Sequence, residues 1–196
     1  IGALQYVIDQ IHPQKVVTFP QQVHIEGGDV MPYGNYIFVG TYYGDDYSSY
    51  ITARTNMAAV TALQKLFPKK IVKPFNLKKS NTVAQDTALH LDCCFQPLGH
   101  GRCIIHKDGF LLEEEYQWLL DFFGPENCFH IDKQEMYHMN SNIFSISEDV
   151  IISEKNFTRL NSWLLEKGYT VEEVEYAESA KQEGLLRCST MPLFRD

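Results

Sequence analysis

No apolar run in this 196-residue sequence approaches the roughly 20 residues that would cross a bilayer, and no charged-then-apolar leader opens it. A soluble, cytoplasmic protein is the expectation. Basic residues are also scarce: 17 Lys and Arg face 25 Asp and Glu, for a net charge of -8, and only Lys69 with Lys70 and Lys78 with Lys79 stand close together. A chain without a basic track offers little to a phosphate backbone, which argues against nucleic acid as a partner. No C-x-x-C pair occurs, and the five cysteines (Cys93, Cys94, Cys103, Cys128, Cys188) are an odd number at irregular spacing. In a chain too long to need disulfide staples, that usage predicts reduced thiols, most of them packed.

The missing C-x-x-C also bears on zinc. His90, Cys93, Cys94, His100, Cys103 and His106 crowd into 17 residues, a density that thiolate and imidazole ligation could use. Adjacent Cys93 and Cys94 would point to opposite faces of a strand, so structural zinc is the weaker reading and no metal or other cofactor is expected. What the chain does have is 44% hydrophobic and 13% aromatic content, enough to build one core in a single domain over residues 1–196. It begins at Ile1, without Met, inside the apolar pattern IGALQYVIDQI, and so reads as starting within a longer protein.

Gly and Pro punctuation divides the sequence into segments whose apolar period switches between two and about 3.6 residues. VHIEGGDVMP and YIFVGTYY read as strands, NMAAVTALQKLF as a helix and KIVKPF as a third strand. The same order returns in ALHLDCCFQPL, GRCIIHKDGF, EEEYQWLLDFF and NCFHI, and again in SNIFSIS, DVIISEK, TRLNSWLLEKG and YTVEEVEY. GLLRCSTMPLF then reads as the first strand of a fourth unit. Repeats of this size suggest an array of like modules, and equivalent positions meet where modules pack around an axis. Near the middle of each first strand stand Glu26, His90, Asn142 and Cys188, an acid, an imidazole, an amide and a thiol. Together those are the parts of a thiol-based active site.

Taken alone, each piece has a blander meaning. Cys188 would be a packed cysteine, His90 a hydrogen-bonded histidine on a half-buried strand, and EGGD a turn. In combination they ask for a thiolate, which an ordinary thiol of pKa about 8.5 supplies poorly at neutral pH. Arg187, a His90 cation or a cationic substrate could stabilise it. In LHLDCCF, His90 and Asp92 would share one strand face, and the glycines between Glu26 and Asp29 let two acids approach one pocket. Carboxylates beside a thiol suit a planar cation that donates several hydrogen bonds, and a guanidinium is such a group. TYYGDDYSSY reads as a surface loop or a lid, and His12, His24, His106, His130 and His138 as surface or structural residues.

The tracts HIEGGDVMPYGNYIFVG, ITARTNMAAV, LHLDCCFQP, NIFSISEDVIISE and LLRCSTMPLFRD resemble, in that order, those of the guanidino-group-modifying or pentein superfamily. They are most similar to its bacterial amidinotransferase and arginine deiminase family, along nearly the whole chain. The resemblance implies an α/β fold, a five-bladed α/β propeller of strand-strand-helix-strand modules, of which about three plus one strand are present here. It implies Cys188 as nucleophile, His90 as general acid and base, Glu26 as support for the histidine and substrate, and Asp92 as the guanidinium-binding carboxylate. Arg54 in ARTN matches an arginine that holds the substrate's carboxylate, and Asp29 and Arg187 complete the substrate-binding set. A small guanidino substrate and a homodimer are implied, with no cofactor.

Two departures accompany the match. The F-x-R-D type segment, whose Asp gives the guanidinium its second carboxylate, does not precede these tracts. Glu183 stands five residues before Cys188, where arginine deiminases carry another carboxylate-binding arginine. The expected activity is hydrolysis of the guanidino group of arginine or a related compound through a covalent Cys188 intermediate. Amidino transfer, hydrolysis of a methylated arginine and a non-catalytic guanidino-binding scaffold are the alternatives.

Overall fold

Each repeat starts with a hairpin whose turn is written in the sequence. Gly34 takes a left-handed backbone (φ 52°), and Tyr33 at the end of β1 (Val30–Tyr33) pairs with Tyr36 at the start of β2 (Tyr36–Thr41) across the Gly34–Asn35 turn. From β2 the chain passes through α1 (Met57–Leu66) into β3 (Ile71–Asn76), which lies parallel to β2. The computed structural model describes residues 5–182 and 184–192, and this unit recurs twice more within them. The second comprises β4 (Phe95–Leu98), β5 (Arg102–Ile105), α2 (Glu113–Phe123) and β6 (Cys128–His130). The third comprises β7 (Phe144–Ser145), β8 (Val150–Glu154), α3 (Thr158–Glu166) and β9 (Thr170–Val174). Every sheet joins its first two strands antiparallel and its last two parallel, with a helical crossover between them. This is the strand-strand-helix-strand repeat expected from the apolar periodicity, arranged as three separate mixed sheets.

The helices form where caps and spacing favour them. The Asn56 side chain accepts the Ala59 N–H at 3.2 Å at the head of α1, and Ala59, Val60 and Leu63 face inward. Glu113, Glu114 and Glu115 open α2, where the helix dipole favours negative charge, and Tyr116, Leu119 and Phe123 follow at core-facing intervals. Glu115 is itself buried; it accepts the Tyr43 hydroxyl at 2.5 Å and the Asn76 N–H at 2.6 Å. That contact fastens TYYGDDYSSY to the body, and the Tyr42 N–H, bonded to the Thr55 carbonyl at 3.4 Å, fastens it again. The tract is an anchored segment rather than a free loop.

Aromatic rings carry the core across module boundaries. The fully buried Phe38 ring lies 5.7 Å from Phe75 within its own sheet, 5.8 Å from Phe95 of β4 and 6.4 Å from Phe123 of α2. The same cluster continues through Ile104 and Ile151 to Leu185 and Leu186, so the segment bearing Cys188 is held by the common core.

The first strands begin later than the sequence pattern suggested. Glu26 precedes a 3₁₀ turn at Gly27–Asp29 that leads into β1, and His90 precedes one at Leu91–Cys93 ahead of β4. Asn142 lies in a turn two residues before β7, its N–H bonded to the Met139 carbonyl at 2.8 Å. None of them is a mid-strand residue. Tight turns of this kind keep apolar residues at short intervals, which periodicity cannot tell from a strand. GLLRCSTMPLF likewise shows no strand over its described part, residues 184–192, and Cys188 sits in a turn.

Phe38→Ala should destabilise the fold by about 3–5 kcal/mol, read as a lower denaturant midpoint at unchanged slope.

Candidate active site

The site is assembled from four stretches that the turns and the buried carboxylate of Asp29 bring together. Asp29 accepts the Thr55 hydroxyl at 2.6 Å and the Leu91 N–H at 2.9 Å, joining EGGD to ARTN and to LHLDC. Thr55 also accepts the Glu26 N–H at 3.1 Å. Lys79, largely buried, donates to the Ala88 and Leu89 carbonyls at 2.7 and 2.9 Å and so fixes the residues that lead into His90. Burial lowers the Lys79 pKa, against the charge of Asp29. Burial raises the Asp29 pKa, against the charges of His90 and Lys79. With both oxygens occupied inside the protein, Asp29 supports the site from below and does not line it.

Two clusters stand on this base. In the first, His90 Nε2 lies 2.6 Å from Glu26 Oε2, with the imidazole 12% exposed and the carboxylate 42%. Arg54 Nη1 reaches the same Glu26 oxygen at 3.5 Å. In the second, Cys188 Sγ lies 3.9 Å from Asp92 Oδ2, and Arg187 Nη1 donates to that oxygen at 3.0 Å. Asp92 is fully buried; burial raises its pKa, while the charges of Arg187 and His90 oppose the rise. Gly28 lets the clusters meet, because a Cβ there would fall 2.9 Å from the His90 ring and 3.0 Å from Asp92 Oδ2.

Asn142 is the functional residue that the candidate set omitted, although the module comparison had singled it out. Its Nδ2 donates to Cys188 Sγ at 3.2 Å, and its Oδ1 accepts the Arg187 and Cys188 N–H groups at 3.1 and 3.2 Å. One buried amide therefore fixes both the backbone and the sulfur of the exposed cysteine. Ser141 beside it donates to the Asp92 carbonyl at 2.8 Å. Thr55 and Lys79 were also missed, since both act by hydrogen-bonding other stretches into place. Burial raises the Cys188 pKa and the Asp92 charge adds to this, while Asn142 and Arg187 pull it down. The unliganded site thus holds mainly thiol at neutral pH, and a further cation near the sulfur would shift it towards thiolate.

The remaining candidates disperse. His100 pairs with Asp149 at 2.7 Å, His106 Nδ1 meets the Ile131 carbonyl at 2.7 Å, and Cys103 faces Cys128 at 3.5 Å. Among the described residues no three His, Cys, Asp or Glu are grouped to hold a metal ion, and no helix is long and apolar enough to cross a membrane. Glu183 lies outside the described residues. A cavity of about 420 Å³ opens elsewhere, lined by Asp132, Glu135, Asn156, Arg159 and Leu185 among others, and no member of the two clusters reaches it.

The fold has solved counterparts. The N-terminal domain of ArgZ, an arginine dihydrolase from the ornithine-ammonia cycle in cyanobacteria, superposes with a TM-score of 0.71 at 21% identity, over 87% of this chain and 57% of that one. The dimethylarginine dimethylaminohydrolase of Pseudomonas aeruginosa, solved with citrulline, gives 0.72 at 21% identity over 95% of this chain and 63% of that one. AgrE, solved with ornithine and NAD+, gives 0.73 at 21% identity over the whole of this chain and 27% of the other. The fold is the pentein fold. By sequence, the chain is 27% identical to the uncharacterised protein YkgA of Bacillus subtilis over 201 aligned residues. It spans 61% of that relative's length. No family model matches the chain.

Because the other four cysteines are buried, alkylation reads Cys188 selectively. Asn142→Asp replaces an N–H donor with a negative charge beside the sulfur. The pH profile of iodoacetamide labelling should move to higher pH, with the rate at pH 7 falling roughly tenfold.

Proposed function

We propose that this chain is a catalytic domain, over residues 1–196, of a hydrolase that cleaves a carbon–nitrogen bond in the guanidino group of arginine or a related compound. The observation that carries the reading is the Asp92 carboxylate 3.9 Å from the Cys188 sulfur and already bonded to a guanidinium, that of Arg187. Likeness to the arginine dihydrolase ArgZ, one of whose structures has substrate bound, supports the same class. So does likeness to the dimethylarginine dimethylaminohydrolase solved with citrulline, the ureido counterpart of arginine. The three sheets are read as blades of a five-bladed ring, in a cytoplasmic protein.

In this mechanism the substrate's guanidinium binds Asp92, and its positive charge favours the Cys188 thiolate. The Sγ–Cζ bond forms as the central carbon becomes tetrahedral. His90, oriented by Glu26 at 2.6 Å, then gives a proton to the departing amine as the C–N bond breaks. An amidino-thioether remains on Cys188. Neutral His90 takes a proton from water, the hydroxide adds to the carbon, and the C–S bond breaks to release the thiolate and a ureido product. Arg54 lies close enough to share Glu26 and to meet a substrate carboxylate.

The complete protein, mixed briefly with L-arginine and quenched in acid, should carry an amidino adduct that maps to Cys188. Cys188→Ala should lose the adduct and the turnover together; a turning-over Cys188→Ala enzyme would sink the mechanism. Gly28→Ala should lower kcat about 100-fold by pushing His90 and Asp92 apart, with little change in melting temperature.

A further inference from the structure

The mechanism needs Asp92 for the substrate, yet a guanidinium is already there. Arg187 Nη1 donates to Asp92 Oδ2 at 3.0 Å and to the Gly27 carbonyl at 3.3 Å, and Nη2 donates to the Val30 carbonyl at 2.9 Å. Acceptors from two distant stretches converge on one planar cation, which is the recognition a substrate guanidinium would require. Asp92 is wholly buried behind it, while the Arg187 side chain keeps 20% of its surface exposed. A substrate cation therefore cannot bond Asp92 Oδ2 in the same way while Arg187 holds it.

We propose that Arg187 is an internal occupant of the guanidinium subsite, and that a guanidino substrate binds by exchanging its own head group for that of Arg187. The inference rests on the guanidino-hydrolase reading above. The exchange keeps one cation on Asp92 throughout, so the buried carboxylate is not left uncompensated on the way to the bound state. It also selects for shape. An ammonium can neutralise Asp92 as a point charge, but only a planar fork replaces the bonds to the Gly27 and Val30 carbonyls as well. Apparent affinity is reduced by the fraction of molecules whose subsite is vacant, so emptying the subsite should tighten binding.

The test vacates it. In the complete protein, Arg187→Ala should bind guanidinium ion, added as millimolar guanidinium chloride, at least tenfold more tightly than wild type by calorimetry. The same variant should label more slowly with iodoacetamide at Cys188, because a cation beside the sulfur is gone, and guanidinium should restore the rate saturably. Ammonium at the same concentration should not. Equal or weaker guanidinium binding by a folded Arg187→Ala overturns the exchange, and Arg187 is then a clasp holding the Cys188 segment to the Gly27–Val30 turn. Arg187→Gln, which keeps the stem without the charge, is the second variant, and loss of cooperative unfolding in both also identifies a clasp. If wild type shows neither arginine binding nor an adduct, the guanidino reading itself has failed and the exchange falls with it.

Discussion

A single buried carboxylate ties three of the site's stretches together. Asp29 ties the turn before β1 to Thr55 on one side and to the Leu91 N–H on the other. Glu26, Arg54, His90 and Asp92 all lie within a few residues of those three anchors. Burying a carboxylate is unfavourable unless its lone pairs are used, and here two strong bonds with the nearby charges of His90 and Lys79 offset part of the penalty. The interior position of Asp29 also explains why a reactive acid can be structural: its chemistry is consumed in placing the chemistry of its neighbours.

The second constraint is charge balance around the sulfur. Asp92 opposes ionisation of Cys188, whereas Arg187 and the Asn142 amide favour it. The cysteine therefore rests on the protonated side. In the proposed mechanism the cation that binds Asp92 also favours the thiolate, which would couple binding to activation.

The repeat was legible in the sequence because hairpin turns and amphipathic helices leave strong local marks. VHIEGGDVMP and YIFVGTYY read as the first paired strands, and EEEYQWLLDFF carried the helical period that α2 shows. The residues Glu26, His90, Asp92 and Cys188 were also legible, through motif order, and the structure brings them into two touching clusters. What periodicity could not resolve was the difference between a strand and a 3₁₀ turn, so the site residues were placed within strands that in fact start after them. Nor could it foresee that Arg187 would reach the Gly27 and Val30 carbonyls, a contact between segments 157 or more residues apart. Asn142 was visible as an aligned position but not as a reactive type, because its part is to hold another residue.

Those long spans have a kinetic meaning. The bonds that complete the site join residues separated by 46, 62, 95 and 160 positions. Each hairpin and helix closes on itself locally, but Cys188 meets Asp92 only by closing a loop of 96 positions, an entropic cost that favours late formation. The contacts around Cys188 thus form late, and a partly folded chain can hold much secondary structure before this cluster is assembled.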